Sequence, residues 1–392
     1  EQIVVSVNGS HYMLREGQPE FNMIWTELSA ILQEIDATSF SDEIVLLPGE
    51  RACVYVYFNP LLPLGSGSPW LEGFQYSSLS EIQIICRPDS TWLQLKDSER
   101  ETKGDLLLLP NMEGNIKDLL VQLSAEEHTA YKLLEGEEVG ALLGREVEVM
   151  TPIYVPLSKV YLSEFFMSPE NTDQELLVKT FFVDPNLARV IEERDGGLIY
   201  TDGKKGLRLT GYGFQYSHPR LEEGQTSILH AAALTNSSTY ISYHGGWPQG
   251  LRLDTLAIKG SGRQNAYEAR WRMYHQGYPI YTSTPTRALF NDRGLVQFTR
   301  AVFEISPIVT ENAENIPVQD WSVALKVAAE LLAPAPAVPA VPLSVETLHL
   351  GYVVLETALP LRGVPVWVVQ LNGEEIFLNA LDLVPLNKED LL

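Results

Sequence analysis

From Tyr267 to Tyr274 every second side chain is apolar: Tyr267, Ala269, Trp271 and Met273 alternate with Glu268, Arg270, Arg272 and Tyr274. Successive side chains of a strand point to opposite faces, so this run builds a strand with one face buried and the other presenting charge. A strand of that kind needs antiparallel neighbours and a cover on its apolar side. Its neighbours meet the requirement. LRLDTLAI (Leu251–Ile258), YEARWRMYHQGYPIYT (Tyr267–Thr282) and RALFNDRGLVQFTRAVFEI (Arg287–Ile305) read as long antiparallel strands. Upstream, GLIYTDG, KGLRLT and GFQYSHP are three short strands with turns at Asp202-Gly203-Lys204 and Gly211-Tyr212-Gly213. Asp-Gly beside alternating apolar residues is a strong hairpin signal. The cover is expected from helices over Gln174–Phe182, Pro185–Arg194 (with Pro185 in the first turn) and Ser227–Leu234.

The first part of the chain is mixed. Met23, Ile24, Leu28, Ile31, Leu32 and Ile35 recur at helical intervals within Glu20–Ile35. Strands are expected in ACVYVYF, EIQIIC, STWLQLKD and EVEVMTPIYVPL, with a Gly/Ser/Pro loop at LLPLGSGSPW and a turn at Arg87-Pro88-Asp89. Asn115–Leu123 and Ala125–Leu134 read as helices, the second capped by Ser124 with Glu127 at the matching acidic position. The last part begins with a helix, Val318–Leu332. A semi-rigid proline-rich linker, APAPAVPAVPL, follows, and then three strands with an Asn372-Gly373 hairpin. The fold class expected is α+β, in three domains (1–168, 169–313 and 314–392) built on mostly antiparallel sheets with helices on one face. YHQGYPIYT and LRGVPVWVV share Gly-x-Pro-Ile/Val, which suggests that the last two domains are related helix-plus-meander units.

Of 392 residues, 45% are hydrophobic and 20% charged, enough to build real cores, which excludes a globally disordered chain. The net charge of −23 is uneven. Residues 1–170 carry 10 basic and 27 acidic side chains, residues 171–313 carry 15 and 14, and residues 314–392 carry 3 and 10. This balance argues against nucleic acid and against adsorption to anionic lipid. No stretch has the ~20 apolar residues a membrane span needs. The sequence opens on Glu1 without an initiator Met, so a leader or anchor removed from before it is expected.

No nucleophile elbow, phosphate loop, paired-His metal motif or dinucleotide fingerprint is present. The adjacent acids (Glu126/Glu127, Glu137/Glu138, Glu192/Glu193, Glu222/Glu223, Glu374/Glu375) read as solvated faces rather than converging catalytic carboxylates. The seven histidines show no metal spacing. No catalytic, cofactor or metal site is expected. Cys53 and Cys86 lie in strand-like runs, as two buried thiols or a disulfide. HGGWPQG (His244–Gly250) is the most unusual local sequence: a binding loop, or a Trp packed over a tight turn. The interaction candidates are Tyr243, His244, Trp247, Tyr274 and Tyr278.

Taken together, TFFVDPNLARVIEERDGGLIYTDGKKGLRL (Thr180–Leu209), FQYSHP (Phe214–Pro219), HGGWPQG and RMYHQGYPIY (Arg272–Tyr281) resemble the YycH family. FFVDPNLARVIEERDG followed by IYTDGKKGLR is the most specific part. The likeness covers about 174–305, and the final unit resembles the last domain shared by YycH and its partner YycI. The resemblance implies a non-catalytic extracytoplasmic regulator of the cell-wall sensor histidine kinase WalK, also called YycG, in low-GC Gram-positive bacteria. It implies an N-terminal transmembrane anchor, association with a YycI-like protein and the kinase, and leaves room for a dimer. No functional residues transfer from it. Two other readings remain open: a cell-wall polysaccharide or peptide binder that stacks on Tyr243 and Trp247, and an acid-dependent hydrolase.

Overall fold

The computed structural model describes residues 2–7, 10–34, 52–63, 78–87, 90–96, 105–109, 129–169, 173–194, 196–221, 230–248, 250–261, 264–283, 286–301, 303–307, 317–332, 342–355 and 360–390. The helix expected over Asn115–Leu123, the Ser124/Glu127 cap and the proline-rich segment 333–341 lie outside them.

In chain order the first part contains β1 (Gln2–Val7), β2 (Ser10–Leu14), α1 (Pro19–Glu34), β3 (Ala52–Pro63), β4 (Ser78–Cys86), β5 (Thr91–Lys96), β6 (Asp105–Leu109) and β7 (Ala130–Leu133). It continues with α2 (Gly136–Leu143), β8 (Val147–Val149), β9 (Tyr154–Pro156) and β10 (Phe165–Pro169). Eight of these strands form one sheet in the order β6-β5-β4-β3-β1-β2-β7-β9. Helix α1 buries Phe21, Ile24, Leu28, Ile31 and Leu32 against Ile3, Val5, Val54, Val56, Ile82 and Ile84, so its i, i+3, i+4 stripe is the seal of this core. Cys53 and Cys86 are buried and not bridged. Cys53 pairs with Ile85 and Ala52 with Cys86, which puts the two thiols on opposite faces of the sheet.

One expectation fails here. Ala130–Leu133, read as the end of a helix, is strand β7 between β2 and β9. Tyr131 packs with Val4 and Tyr154 while the backbone ladders on both sides, and this pairing overrides local helix propensity.

The middle of the chain contains α3 (Gln174–Phe181), β11 (Arg189–Glu192), β12 (Leu198–Thr201), β13 (Gly206–Thr210), β14 (Gly213–Ser217), α4 (His230–Tyr243), β15 (Leu251–Ser261), β16 (Gln264–His275), β17 (Tyr278–Tyr281), β18 (Thr286–Asn291), β19 (Gly294–Ala301) and β20 (Phe303–Pro307). Asp173 caps α3 by accepting the Leu176 amide at 3.0 Å. The alternation of β16 holds: Tyr267, Ala269 and Trp271 are buried in a core with Phe214, Phe290 and Phe298, covered by Leu177, Val178 and Phe181 of α3 and Ile241 of α4.

Three details differ from the sequence reading. Pro185–Leu187 is a single 3-10 turn, and Arg189–Glu192 is a strand paired with β12. Leu187, Val190 and Ile191 are all exposed, so a helix there would have no face to bury and would be marginal alone. Helix α4 runs nine residues past the expected Leu234, because Ala233, Ser237 and Ile241, at four-residue spacing, are all fully buried. The run Tyr267–Thr282 is two strands split by a turn at Gln276-Gly277, both with positive φ (51° and 77°).

The last part contains α5 (Trp321–Leu332), β21 (Leu343–Leu355), β22 (Leu361–Leu371), β23 (Glu374–Asn379) and β24 (Pro385–Leu386). After the turn at Gly277, β17 leaves β16 and runs parallel to β21, pairing Ile280 with Tyr352. The central strands and the last strands thereby become one sheet, β11-β12-β13-β14-β19-β18-β16-β17-β21-β22-β10-β20, with β15, β23, β24 and β8 attached to it. Strands β8 and β10, which precede the central segment in sequence, belong to the last part of this sheet. The core there packs Trp321, Ala324 and Leu325 of α5 on Val345, Tyr352, Trp367 and Leu378. The Trp367 indole N–H donates to the Gln319 carbonyl at 2.9 Å.

The two Gly-x-Pro segments flank the same strand, β21, with Gly277 leading into β17 and Gly363 lying in β22. Neither glycine admits a side chain. A Cβ at Gly277 would stand 2.6 Å from the Arg15 Cβ, and one at Gly363 would stand 2.3 Å from the Phe165 ring.

Two stability measurements check this packing. Gly363→Ala should destabilise the protein by about 1–3 kcal/mol through overpacking, and adding Phe165→Leu should restore part of that loss. The Tyr352 hydroxyl is buried without a hydrogen-bond partner among the described residues, so Tyr352→Phe should be neutral or stabilising by about 1 kcal/mol in urea denaturation. A large loss in Tyr352→Phe would show that the hydroxyl is satisfied.

Candidate functional site

The His244–Gly250 loop hangs from the C-terminus of α4. Arg300 on β19 is 2% exposed and donates to the carbonyls of His244 (2.8 Å) and Gly245 (3.2 Å). These are carbonyls at the helix C-terminus, where a cation is favoured and the last oxygens lack helical donors. At the other end of the loop Gly250 presses on β16: a Cβ there would stand 2.4 Å from the Tyr274 carbonyl oxygen. His244 lies inward. Its ring centroid is 4.3 Å from that of Phe181, and Nδ1 shares a 2.8 Å hydrogen bond with the Tyr240 carbonyl. Burial, and after it the Arg300 charge, hold its imidazole below the ordinary value. Tyr243 and Trp247 point outward, 70% and 46% exposed, with the Trp247 indole donating to Ser242 Oγ at 3.0 Å.

Tyr274 and Tyr278 are placed elsewhere, where the first sheet meets the central strands, and both are covered by arginines of this same chain. The Arg15 guanidinium lies 3.7 Å from the Tyr278 ring centroid and donates to the Gly277 carbonyl (3.2 Å) and the Tyr131 hydroxyl (3.0 Å). Arg252 lies 4.2 Å from the Tyr274 centroid and is ion-paired with Glu16. Of the five sequence candidates, then, Tyr243 and Trp247 face solvent, His244 packs inward, and Tyr274 and Tyr278 hold two parts of the chain together.

Where the central strands meet the last ones, the structure assembles a polar chain that no local sequence signal marks. Asp254 on β15 accepts both arms of Arg272 on β16, at 2.9 and 2.8 Å. Arg272 stacks 4.0 Å from the centroid of Tyr281 on β17, and the Tyr281 hydroxyl shares a 2.8 Å hydrogen bond with His349 Nε2 on β21. Burial raises the Tyr281 hydroxyl far above its ordinary range, so it stays protonated. Burial, then the charges of Arg272 and Arg15, lower His349 to about 4. A neutral imidazole therefore meets a neutral phenol beneath a charged arginine. This chain borders a cleft of about 390 Å³ that also includes Thr286, Glu375, Phe377 and Lys388. It fastens two halves of a sheet and holds no activated nucleophile.

A different stretch is the most exposed in apolar terms. Leu176, Val183, Leu187, Val190 and Ile191 are 62%, 104%, 77%, 53% and 44% exposed; Val190 and Ile191 lie in the sheet's edge strand β11, Val183 and Leu187 in the segment leading to it, and Leu176 in α3. Periodicity alone missed this surface, because it assigned the segment to a helix. Glu137, Glu138 and Glu192 are exposed and Glu193 is tied to Arg208 at 2.5 Å, so these acids do not converge across a cleft.

The His349 geometry predicts a pH dependence. The unfolded histidine, with its ordinary value of 6.5, takes up a proton that the folded one refuses until about 4. Stability should therefore be complete above about pH 6.5 and fall as the pH drops toward 4. Burial lowers His11, His244 and His275 as well, so His349→Gln should remove part of the slope, not all of it. Denaturant midpoints between pH 7 and 4.5 measure this, and an identical slope in the variant would contradict it.

No protein-family model matches the chain, and no curated protein matches it in sequence. Solved structures do. An uncharacterized protein from Eubacterium rectale gives a TM-score of 0.43 at 11% identity, over 62% of this chain and 90% of that one. The Bacillus megaterium YpeB C-terminal domain gives 0.32 at 13%, over 56% and 98%. YycH from Bacillus subtilis gives 0.62 at 14% identity, over 99% of this chain and 95% of that chain. The chain therefore has the α+β fold of YycH from end to end.

Proposed function

We propose that this protein is a non-catalytic regulator that acts outside the cell membrane. It binds a two-component sensor histidine kinase of the WalK type, together with a YycI-like protein, and changes the kinase's activity. The observation that carries the reading is the shared fold with YycH over 99% of the chain. It is joined by the motif series between Thr180 and Tyr281. The three-domain division at about 168 and 313 and a membrane anchor preceding Glu1 belong to the same proposal. Among the described residues no helix is long and apolar enough to cross a membrane.

The exposed apolar stretch supports association. Large apolar side chains left in water along one stretch are characteristic of protein contacts. Val183 and Leu187 are the most exposed of them, and they lie inside the most specific part of the motif series. Tyr243 and Trp247 supply a second outward aromatic pair. If that pair stacks on wall sugars instead, calorimetry with muropeptides will show binding that a Trp247→Ala variant loses.

The test is co-purification of the full-length, anchored protein with the kinase and the YycI-like protein. Association should be seen, and Val183→Glu with Leu187→Glu should weaken it about tenfold or more while the thermal midpoint stays unchanged. Absence of association would overturn the reading.

A further inference from the structure

One face of the central sheet is closed by α3 and α4, and the other is open. On the open face, residues directly opposite one another in the ladder form a continuous row. Arg208 faces Gln215, Gln215 faces Thr299, Thr299 faces Arg287 and Arg287 faces Arg270. Directly paired residues share a face, and neighbouring strands lie about 4.8 Å apart, so three arginines fall within roughly 20 Å. Over the part of this row from Arg208 to Arg287 lies a cleft of about 520 Å³ whose walls include Arg208, Gln215, Ser217, Arg287, Gln297 and Thr299; Arg270 lines the neighbouring cleft instead. No Asp or Glu lines it among the described residues. In a chain of net charge −23, a carboxylate-free cleft of this kind is a local reversal of sign.

The charges on this face are not equally answered. Arg208 is paired with Glu193, Arg252 with Glu16, Arg270 with Glu268 and Arg272 with Asp254. Arg287 is exposed and has no carboxylate within ion-pair distance among the described residues. It stands directly opposite Arg270, whose charge Glu268 already answers, so Arg287 is the guanidinium of this row left without a carboxylate among the described residues. Around Arg287 the remaining donors are neutral: the hydroxyls of Ser217, Ser283 and Thr299 and the side-chain amides of Gln215 and Gln297.

We propose that this cleft is a binding site for a phosphate-bearing ligand anchored on Arg287. A guanidinium fork matches two oxygens of a phosphate. The surrounding hydroxyls and amides offer more donors than the two oxygens of a carboxylate accept, whereas a phosphate monoester presents three. The cleft is larger than one phosphate group, so the ligand is an ester whose organic part lies along the row toward Gln215 and Arg208. A cleft lined by one sign of charge concentrates such anions against the field of the rest of the molecule. The inference stands on the cleft alone and does not depend on the kinase reading.

The experiment uses the whole chain with glycerol 3-phosphate as probe, in titration calorimetry and thermal unfolding. Sodium acetate and sodium chloride at matched ionic strength are the comparison arms. Glycerol 3-phosphate should bind saturably and raise the unfolding temperature. Arg287→Gln should weaken binding about tenfold or more, Arg287→Lys should restore part of it, and Arg362→Gln, at the distant pair with Glu164, should leave it unchanged. Thr299→Val should also weaken binding, which keeps the test open if one variant misfolds. Equal responses to chloride or acetate, or undiminished binding in Arg287→Gln, would overturn the proposal.

Discussion

Four residues, Tyr278–Tyr281, determine how the rest of this molecule is joined. They leave the central meander at the Gln276-Gly277 turn and pair in parallel with β21, so two sheets that could each close alone share one ladder. The side chains of this short strand are then gripped from both faces. Tyr278 lies under Arg15 of the first sheet, and Tyr281 lies under Arg272 and against His349. All three parts of the chain meet at this strand. The consequence is mechanical: a displacement at one end of the long sheet has a hydrogen-bonded path to the other.

Arginine supplies the fasteners. The chain has 28 basic against 51 acidic side chains, yet several of its few arginines point inward. Arg15 holds the first seam, Arg272 the second, and Arg300 the end of α4. A planar guanidinium can stack on an aromatic ring and donate in its own plane at the same time, which lysine cannot do. These contacts are buried or half-buried, so they are screened less by salt than the surface pairs Lys179–Glu175 and Arg362–Glu164. The structure thus uses these specific polar contacts to hold its parts in place, while apolar side chains of the β11 edge stay exposed.

What the sequence could show follows from how local each cause is. The alternation of Tyr267–Met273, the Asp202-Gly203 and Asn372-Gly373 turns and the apolar stripe of α1 are written in consecutive residues, and all were readable. Arg189–Glu192 and Ala130–Leu133 were misread as helix because the strands they pair with lie elsewhere in the chain. The Gln276-Gly277 turn was hidden because strand-like residues continue on both sides of it. Of the candidate residues, Trp247 and Tyr243 are exposed. Tyr278 looked the same in sequence but is covered by Arg15, 263 positions earlier, and nothing near either residue signals the other. The Asp254–Arg272–Tyr281–His349 chain draws on four strands and has no local signature at all.

The exposed apolar edge and the single shared strand are the features on which the proposed regulation by contact rests. The most direct measurement is autophosphorylation of a WalK-type kinase in reconstituted membranes, with and without this protein and the YycI-like protein proposed to act with it. A reproducible change in rate, dependent on both proteins and lost when the β11 edge is altered, is the result expected. An unchanged rate across all combinations would contradict the assignment of this fold to kinase control.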